Sequence, residues 1–358
     1  MLMRLIILFD KRELIGGKHF MLNKEDSDFY FQWHITNKCN NRCKHCYHDD
    51  YGKSSELSEK DLMKIANDMN ESLKKLNYIA SIAITGGEPF VEKEKFYNLL
   101  HYVDGLDRII SYDILTNGTL LDEEDMKKLK LCKKFRRIQV SLEGSCAAKH
   151  DFIRGTGDFD RVIKAIKLLK KHSFTVAVMT TITRNNMNDI DNIVNLLSDL
   201  KVDFAAFERF VPEGQGLGIQ DLALNKEEIK NCYQKIANLS RKVKTPSILT
   251  YRALYILCSQ ANEDNMGAMC SAGTNSLAIM PNGDLYPCRR LPIKVGNVLE
   301  DGIINVWFSS EVLWNLRNFS KVKGKCKNCK NFVMCRGCRS IAYAKTGDYM
   351  EEDPQCWK

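Results

Sequence analysis

Three cysteines within eight residues, Cys39, Cys43 and Cys46 in the stretch FQWHITNKCNNRCKHCY (residues 31–47), are the most reactive-looking feature of this chain. Spaced C-x3-C-x2-C, their thiolates can converge on one metal centre and leave one coordination position without a protein ligand. Soft thiolates select iron–sulfur clusters, zinc or Cu(I). A closed structural zinc site takes four ligands, so three with an open position suit a reactive centre better. A second array lies near the C-terminus: Cys270, Cys288, then Cys326-x2-Cys329-x5-Cys335-x2-Cys338, and Cys356. Paired CxxC motifs are a normal zinc-ribbon arrangement, but seven cysteines divide poorly into closed four-ligand sites. Cys132, Cys146 and Cys232 lie on or beside helical stretches and read as small packed residues.

The elements that must position these thiols follow a regular rhythm. Phe31, Trp33 and Ile35 alternate as in a buried strand that runs into the cysteine loop. Ser58 with Asp61 signals a helix start, and the helical pattern runs to about Leu76. Strands are expected at 79–85, 112–116, 138–142, 174–182 and 204–210, and helices near 93–102, 122–131, 158–171, 187–200 and 226–241. Six strand–loop–helix units imply parallel strands joined by right-handed crossovers. Six are too few for an eight-unit barrel, so an open partial barrel is preferred over a doubly wound sheet. Either way the chemistry belongs at the carboxyl ends of the strands. There stand Gly86-Gly87-Glu88-Pro89, Asn117-Gly118, Ser141-Leu142-Glu143-Gly144 and Glu208-Arg209-Phe210. The pattern changes near residue 247, where a Cys-, Gly- and Lys-rich region follows.

Composition excludes several classes. At 358 residues with 44% apolar and 27% charged residues, the chain is an ordinary globular protein with room for two domains. A net charge of +8 spread along the sequence reads as a solvated surface, not a nucleic-acid footprint. The N-terminal MLMRLIILF is too short to span a membrane and lacks a small-residue cleavage site, so it reads as an edge strand or docking segment. With no export signal and clustered cysteines, metal ligation in a reducing, anaerobic cytoplasm is expected rather than a disulfide scaffold.

The cysteine loop resembles that of the radical S-adenosylmethionine (SAM) enzymes, and the C-terminal array, with Gly283, Gly296-Asn297-Val298 and Val306-Trp307, resembles the SPASM domain found on many of them. The resemblance implies an α/β fold: a partial (βα)6 TIM-like barrel over residues 29–246, a cysteine-rich SPASM domain over 247–358, and an N-terminal segment over 1–28. It implies that Cys39, Cys43 and Cys46 hold a 4Fe–4S cluster whose fourth iron binds SAM. Gly86, Gly87 and Glu88 would meet the SAM amino group, and Ser141 and Arg154 would contact SAM, with Arg154 on its carboxylate. Many relatives have Asp where Glu143 stands. His45 occupies the place of an aromatic that packs on the adenine, Asn117 would touch ribose or close a turn, and Phe210 would line the cavity. Two auxiliary 4Fe–4S clusters are implied, one on Cys326, Cys329, Cys335 and Cys356, the other on Cys270, Cys288 and Cys338. The latter is completed by Cys258 or keeps one open iron. Relatives usually have three residues, not two, between the cysteines matching Cys335 and Cys338.

The implied activity is reductive cleavage of SAM to a 5′-deoxyadenosyl radical that abstracts hydrogen from a peptide or protein. A ribosomally made peptide with thioether crosslink formation is preferred. No single residue stands out as the catalytic group of the substrate step. An electron donor such as flavodoxin or ferredoxin is expected. Residue 1 lies too close to the first strand for a fused leader-binding domain, so a separate leader-binding protein or the SPASM region would serve; no nucleic-acid or membrane partner is expected. Anaerobic sulfatase maturases are the nearest rival, but they carry an aspartate after the second auxiliary cysteine where this chain has Arg289, followed by Arg290. Those arginines either attract a carboxylate-bearing substrate, which keeps tetrapyrrole modification open, or are solvated surface. A zinc- or cluster-binding interaction protein is the non-enzymatic alternative.

Overall fold

The computed structural model describes residues 28–52, 56–260 and 266–358; the apolar N-terminal stretch expected as an edge strand or docking segment lies outside them. Six parallel strands form the centre: β1 (Phe29–His34), β2 (Ala80–Thr85), β3 (Ile109–Thr116), β4 (Phe135–Ser141), β5 (Val176–Ile182) and β6 (Phe204–Arg209). They are connected by α1 (Glu59–Leu76), α2 (Lys93–Asp104), α3 (Glu123–Leu131), the pair α4 (Ala147–Arg154) and α5 (Asp158–Lys171), and α6 (Ile190–Asp199). All six residues of β2, ASIAIT, are buried, as expected of a strand covered on both faces. Helix starts follow local chemistry: Ser58 accepts from the Asp61 backbone N–H, and Asp122 with Asp125 forms a reciprocal capping box.

The sheet reaches beyond the six expected strands. After α7 (Lys226–Lys242), β7 (Ser247–Leu249) pairs parallel with β6, and β8 (Ser276–Ile279) pairs parallel with β1. β9 (Asp284–Tyr286) and β10 (Gly296–Asn297) then add antiparallel, giving the order β10-β9-β8-β1-β2-β3-β4-β5-β6-β7. Among the described residues no pairing joins the two ends, so the structure is an open barrel. The C-terminal region thus continues the sheet instead of forming a separate layer.

The C-terminal motifs make that junction. Gly283 turns between β8 and β9 at φ +85°, and a Cβ there would stand 3.0 Å from the Asn297 Oδ1. Asn297 Nδ2 donates to Asp284 (2.9 Å) and to the Asn282 carbonyl (3.1 Å), tying the turn to β10. Trp307 packs edge-on against Phe29 of β1 at 4.9 Å between ring centroids. One apolar cluster runs from Phe31 and Ile82 through Leu285, Val306 and Leu313. A smaller satellite, Leu316, Val322 and Met350, lies under the C-terminal loops.

Candidate active site

The cysteine loop leaves β1 at His34 and is pinned over the carboxyl ends of the neighbouring strands. Glu56 Oε1 accepts from the Thr36 hydroxyl and the Asn37 N–H, both at 2.7 Å, and from the Lys38 N–H at 3.1 Å. Asn41 Nδ2 donates to Asp158, the first residue of α5 (2.9 Å), and the Lys44 N–H donates to the Ile153 carbonyl (2.9 Å). The Gly216 N–H donates to the Cys46 carbonyl (3.1 Å). Nothing in the sequence marks Glu56, Asn41 or Gly216 for this work, because each acts across the chain and not through a local motif. Gly87 is different: a Cβ there would stand 2.3 Å from the Lys38 carbonyl oxygen, so glycine is what lets the β2 turn touch the loop.

Cys39, Cys43 and Cys46 line one cavity together with Gly86, Gly87 and the strand-end residues Thr85, Thr116 and Ser141. Burial pushes the Cys39 thiol up to about 12 and the Cys43 thiol to about 11, and it raises Cys46 too. Such thiols stay protonated by themselves; a bound metal centre deprotonates its thiol ligands outright. His45 lies on the same wall with Nε2 3.1 Å from Glu143 Oε1, and its Nδ1 is buried without a protein partner. A soft three-thiol donor set, a glycine cradle and a buried unpartnered imidazole nitrogen fit an iron–sulfur cluster with a bound nucleoside.

Two expected ligands have other occupations. Glu88, expected to meet an ammonium group, is fully buried with both oxygens in use. They accept from the Thr116 hydroxyl (2.7 Å), the Asn117 N–H (2.7 Å) and the Phe90 N–H (3.2 Å). Burial pushes this carboxyl up to about 7 despite those bonds. Glu88 therefore braces the turn after β3. Arg154, the last residue of α4, is neither a surface group nor free: its Nε and Nη2 hold Glu143 Oε1 at 3.2 and 2.6 Å, with the side chain 12% exposed. Its Nη1 lies 3.7 Å from Cys43 Sγ. Burial would raise the Glu143 carboxyl, but the charges of Arg154 and His45 hold it well below the ordinary carboxylate range. Asn117 does close its turn, accepting from Thr119, and its Nδ2 reaches Asn40 on the cysteine loop (2.9 Å). Phe210 lines the cavity, with Gly216 close against its ring.

The opposite wall comes from β6 and the C-terminal region. Glu208, Arg209, Arg289 and Arg290 all line the same cavity. Arg209 and Asp353 form a buried ion pair (2.8 Å) across the two regions, and Asp353 also accepts from the Cys338 N–H (2.7 Å). Glu208 pairs with Arg252 and, at 3.2 Å, with Arg290. Neither Arg289 nor Arg290 is a solvated surface group. Cys335 is buried, its sulfur accepting from the Leu254 and Gly337 N–H groups. Lys325, beside Cys326, donates to the Cys356 carbonyl (3.1 Å), and the Cys329 N–H donates to the Cys326 carbonyl (3.3 Å). Cys270 offers its carbonyl to Arg336 (2.7 Å), whereas Cys288 closes a bridge to Leu291. Cys258 ends a short turn whose carbonyl is held by Arg241 (2.8 Å).

Residues 33–197 match the model of the radical SAM superfamily, and residues 270–339 match the SPASM iron–sulfur cluster-binding domain. The chain is 29% identical over 345 residues to the AdoMet-dependent heme synthase of Methanosarcina barkeri, covering 90% of this chain and 95% of that protein. It is 28% identical over 345 residues to the mycofactocin maturase MftC of Mycolicibacterium smegmatis, covering 92% and 83%. Streptococcus suis SuiB, solved with S-adenosylmethionine, superposes with a TM-score of 0.72 at 19% identity over 92% of this chain and 77% of that one, which shows the shared fold. The chain is a radical SAM enzyme with a C-terminal SPASM domain, and the two domains imply SAM and iron–sulfur clusters as cofactors. Among the described residues no helix is long and apolar enough to cross a membrane.

Proposed function

We propose that this radical SAM–SPASM enzyme abstracts a hydrogen atom from a peptide held between the cysteine loop and the arginine-lined SPASM wall. When bound, the cluster and SAM supply a 5′-deoxyadenosyl radical, the hydrogen-abstracting species. Cys39, Cys43 and Cys46 would hold that cluster, and Gly86, Gly87, Ser141, Arg154 and His45 would surround SAM. One auxiliary cluster would take Cys326, Cys329, Cys335 and Cys356, and the other Cys270, Cys288 and Cys338. Arg154 beside Cys43 and the Lys44 N–H on the Ile153 carbonyl hold α4 against the loop, and the Arg209–Asp353 pair holds the SPASM domain over the strand ends, so the reacting parts meet in one cavity. Exposed Arg42 and Lys44 on the outer face of the loop suit an acidic electron carrier of the flavodoxin or ferredoxin kind.

The observation that carries this reading is the single cavity shared by the three loop thiols and the residues beside Cys288. Structural relatives support a peptide substrate, since SuiB was solved with its precursor peptide SuiA. Thioether crosslinking of a ribosomally made peptide is the preferred outcome, with leader recognition by a separate protein or by the SPASM region. Anaerobic incubation with SAM, dithionite and a Cys-rich peptide encoded beside the gene should release deoxyadenosine. Mass spectrometry should then show the peptide lighter by two hydrogens per crosslink. Formylglycine at a sulfatase motif would replace this substrate assignment. Tetrapyrrole side-chain modification is the second reading, favoured by the similarity to a haem synthase and by the arginines on the SPASM wall.

A further inference from the structure

We infer that Arg289 is the anchor for a carboxylate group of the substrate. This deepens the reading above and rests on it. Arg289 directly follows Cys288, lines the cavity that the three loop thiols share, and stands beside Tyr47 of the cysteine loop. Each neighbouring cavity arginine already has an anion: Arg154 has Glu143, Arg209 has Asp353, and Arg290 has Glu208. Arg289 has no ion pair among the described residues, and Glu208 acts on it only at longer range. Its Nη1 donates to the amide oxygen of Gln32 on β1, and its guanidinium carbon lies 5.6 Å from the Tyr47 ring centroid. Both neighbours are neutral, and its Nε is buried without a partner.

The geometry names the missing partner. With Nη1 spent on Gln32, Nη2 remains on the Nε–Nη2 edge, the edge by which a guanidinium meets a carboxylate. This protein uses that edge in the same way elsewhere. Arg136 grips Asp113 through Nε and Nη2 at 2.9 Å each, and Arg184 grips Glu228 through the same two atoms at 2.9 and 3.1 Å. At Arg289 the Nε half of that edge is closed off, so a carboxylate would be met through Nη2. A charge placed in a low-dielectric pocket without a counterion is costly, which selects for a ligand that brings one. Arg290 does not qualify, because it is bound to Glu208 and to the Arg209 carbonyl (3.1 Å).

The carboxylate could belong to a peptide or to a propionate-bearing tetrapyrrole. The test therefore uses both, on anaerobically reconstituted holoenzyme with SAM present. Equilibrium binding is measured for a Cys-containing peptide bearing aspartate and its asparagine counterpart, and for a dipropionate porphyrin and its dimethyl ester. Wild-type protein should prefer the free-acid form of one probe by roughly tenfold. Arg289→Met should abolish that preference. Arg289→Lys, which keeps the charge but loses the fork, should lose most of it and serves if the methionine variant fails to assemble. Equal binding of acid and neutral forms, or an unchanged preference in both variants, overturns the proposal and leaves Arg289 only balancing the nearby cluster. Weaker SAM binding by the variants overturns it too, because the anion would then be the carboxylate of SAM. Deoxyadenosine release by wild type, run in parallel, tests the radical SAM reading separately: its absence would sink that reading whatever the binding data show.

Discussion

The two walls of the cavity use the same residue types in different balance. On the cysteine-loop wall, one arginine meets one carboxylate: Arg154 and Glu143, with His45 sharing the same oxygen. Around β6 and the C-terminal region, four arginines (Arg209, Arg252, Arg289 and Arg290) stand with two carboxylates, Glu208 and Asp353, and of these Glu208, Arg209, Arg289 and Arg290 line the cavity. A balanced wall is complete by itself and needs only thiol ligation to become functional. On the proposed reading, the surplus guanidinium groups are matched by an anion from outside, and the difference separates a cofactor end, preorganised by its own ion pairs, from a substrate end.

The sharpest way to break this division is to remove a thiol. Cys43→Ser should abolish deoxyadenosine formation and lose one cluster's worth of iron while the SPASM clusters stay, read by iron assay and chromatography. If SPASM iron is lost as well, the two ends do not assemble independently. Next in size is Asp353→Ala, which strands Arg209 in a buried site. Removing one partner of such a pair costs about 3–5 kcal/mol, visible as a lower midpoint in denaturant. Replacing both by well-packed apolar residues should recover much of that loss, because the desolvation penalty disappears along with the pair.

Gly87→Ala tests the cradle. The new Cβ must displace the Lys38 carbonyl, next to Cys39, so overpacking of about 1–3 kcal/mol and weaker SAM binding are expected, measured by thermal shift and equilibrium dialysis. The smallest effect concerns acid stability. Burial would raise the Glu208 carboxyl, but the charges of Arg252, Arg290 and Arg289 outweigh it and pull it down to about 2. A depressed carboxyl stabilises the fold above its unfolded value, near 4.5, and that contribution is lost as pH falls toward 2. Wild type should therefore lose up to about 1.4 kcal/mol per pH unit more than Glu208→Gln across this window, by urea unfolding at a series of pH values. Equal slopes would show that the SPASM wall is less positive than its geometry indicates.

Much of this was legible from local signals. The β–α rhythm, the cap at Ser58, and the placement of Gly86, Thr116 and Ser141 at strand ends follow from side-chain periodicity and turn chemistry, which act over a few residues. A strand-like piece at 276–280 is legible and corresponds to β8, but its pairing with β1, like that of the three-residue β7 with β6, joins residues far apart in sequence. The helix Ala147–Arg154 was hidden in a glycine-containing motif, although it is what carries Arg154 to Glu143. The motif around Glu88 pointed to the right turn, while its bonds to Thr116 and to the Asn117 and Phe90 N–H groups depend on what packs behind it.

By itself the sequence determined the ligand chemistry: how many thiols, in which spacing, and on which side of each strand. Thiolate softness and chain reach are local properties, unaffected by the rest of the fold. Only the tertiary structure decided how the charges are shared out. Whether Arg154, Arg209, Arg289 or Arg290 finds an anion depends on which distant carboxylate the fold brings within hydrogen-bonding distance.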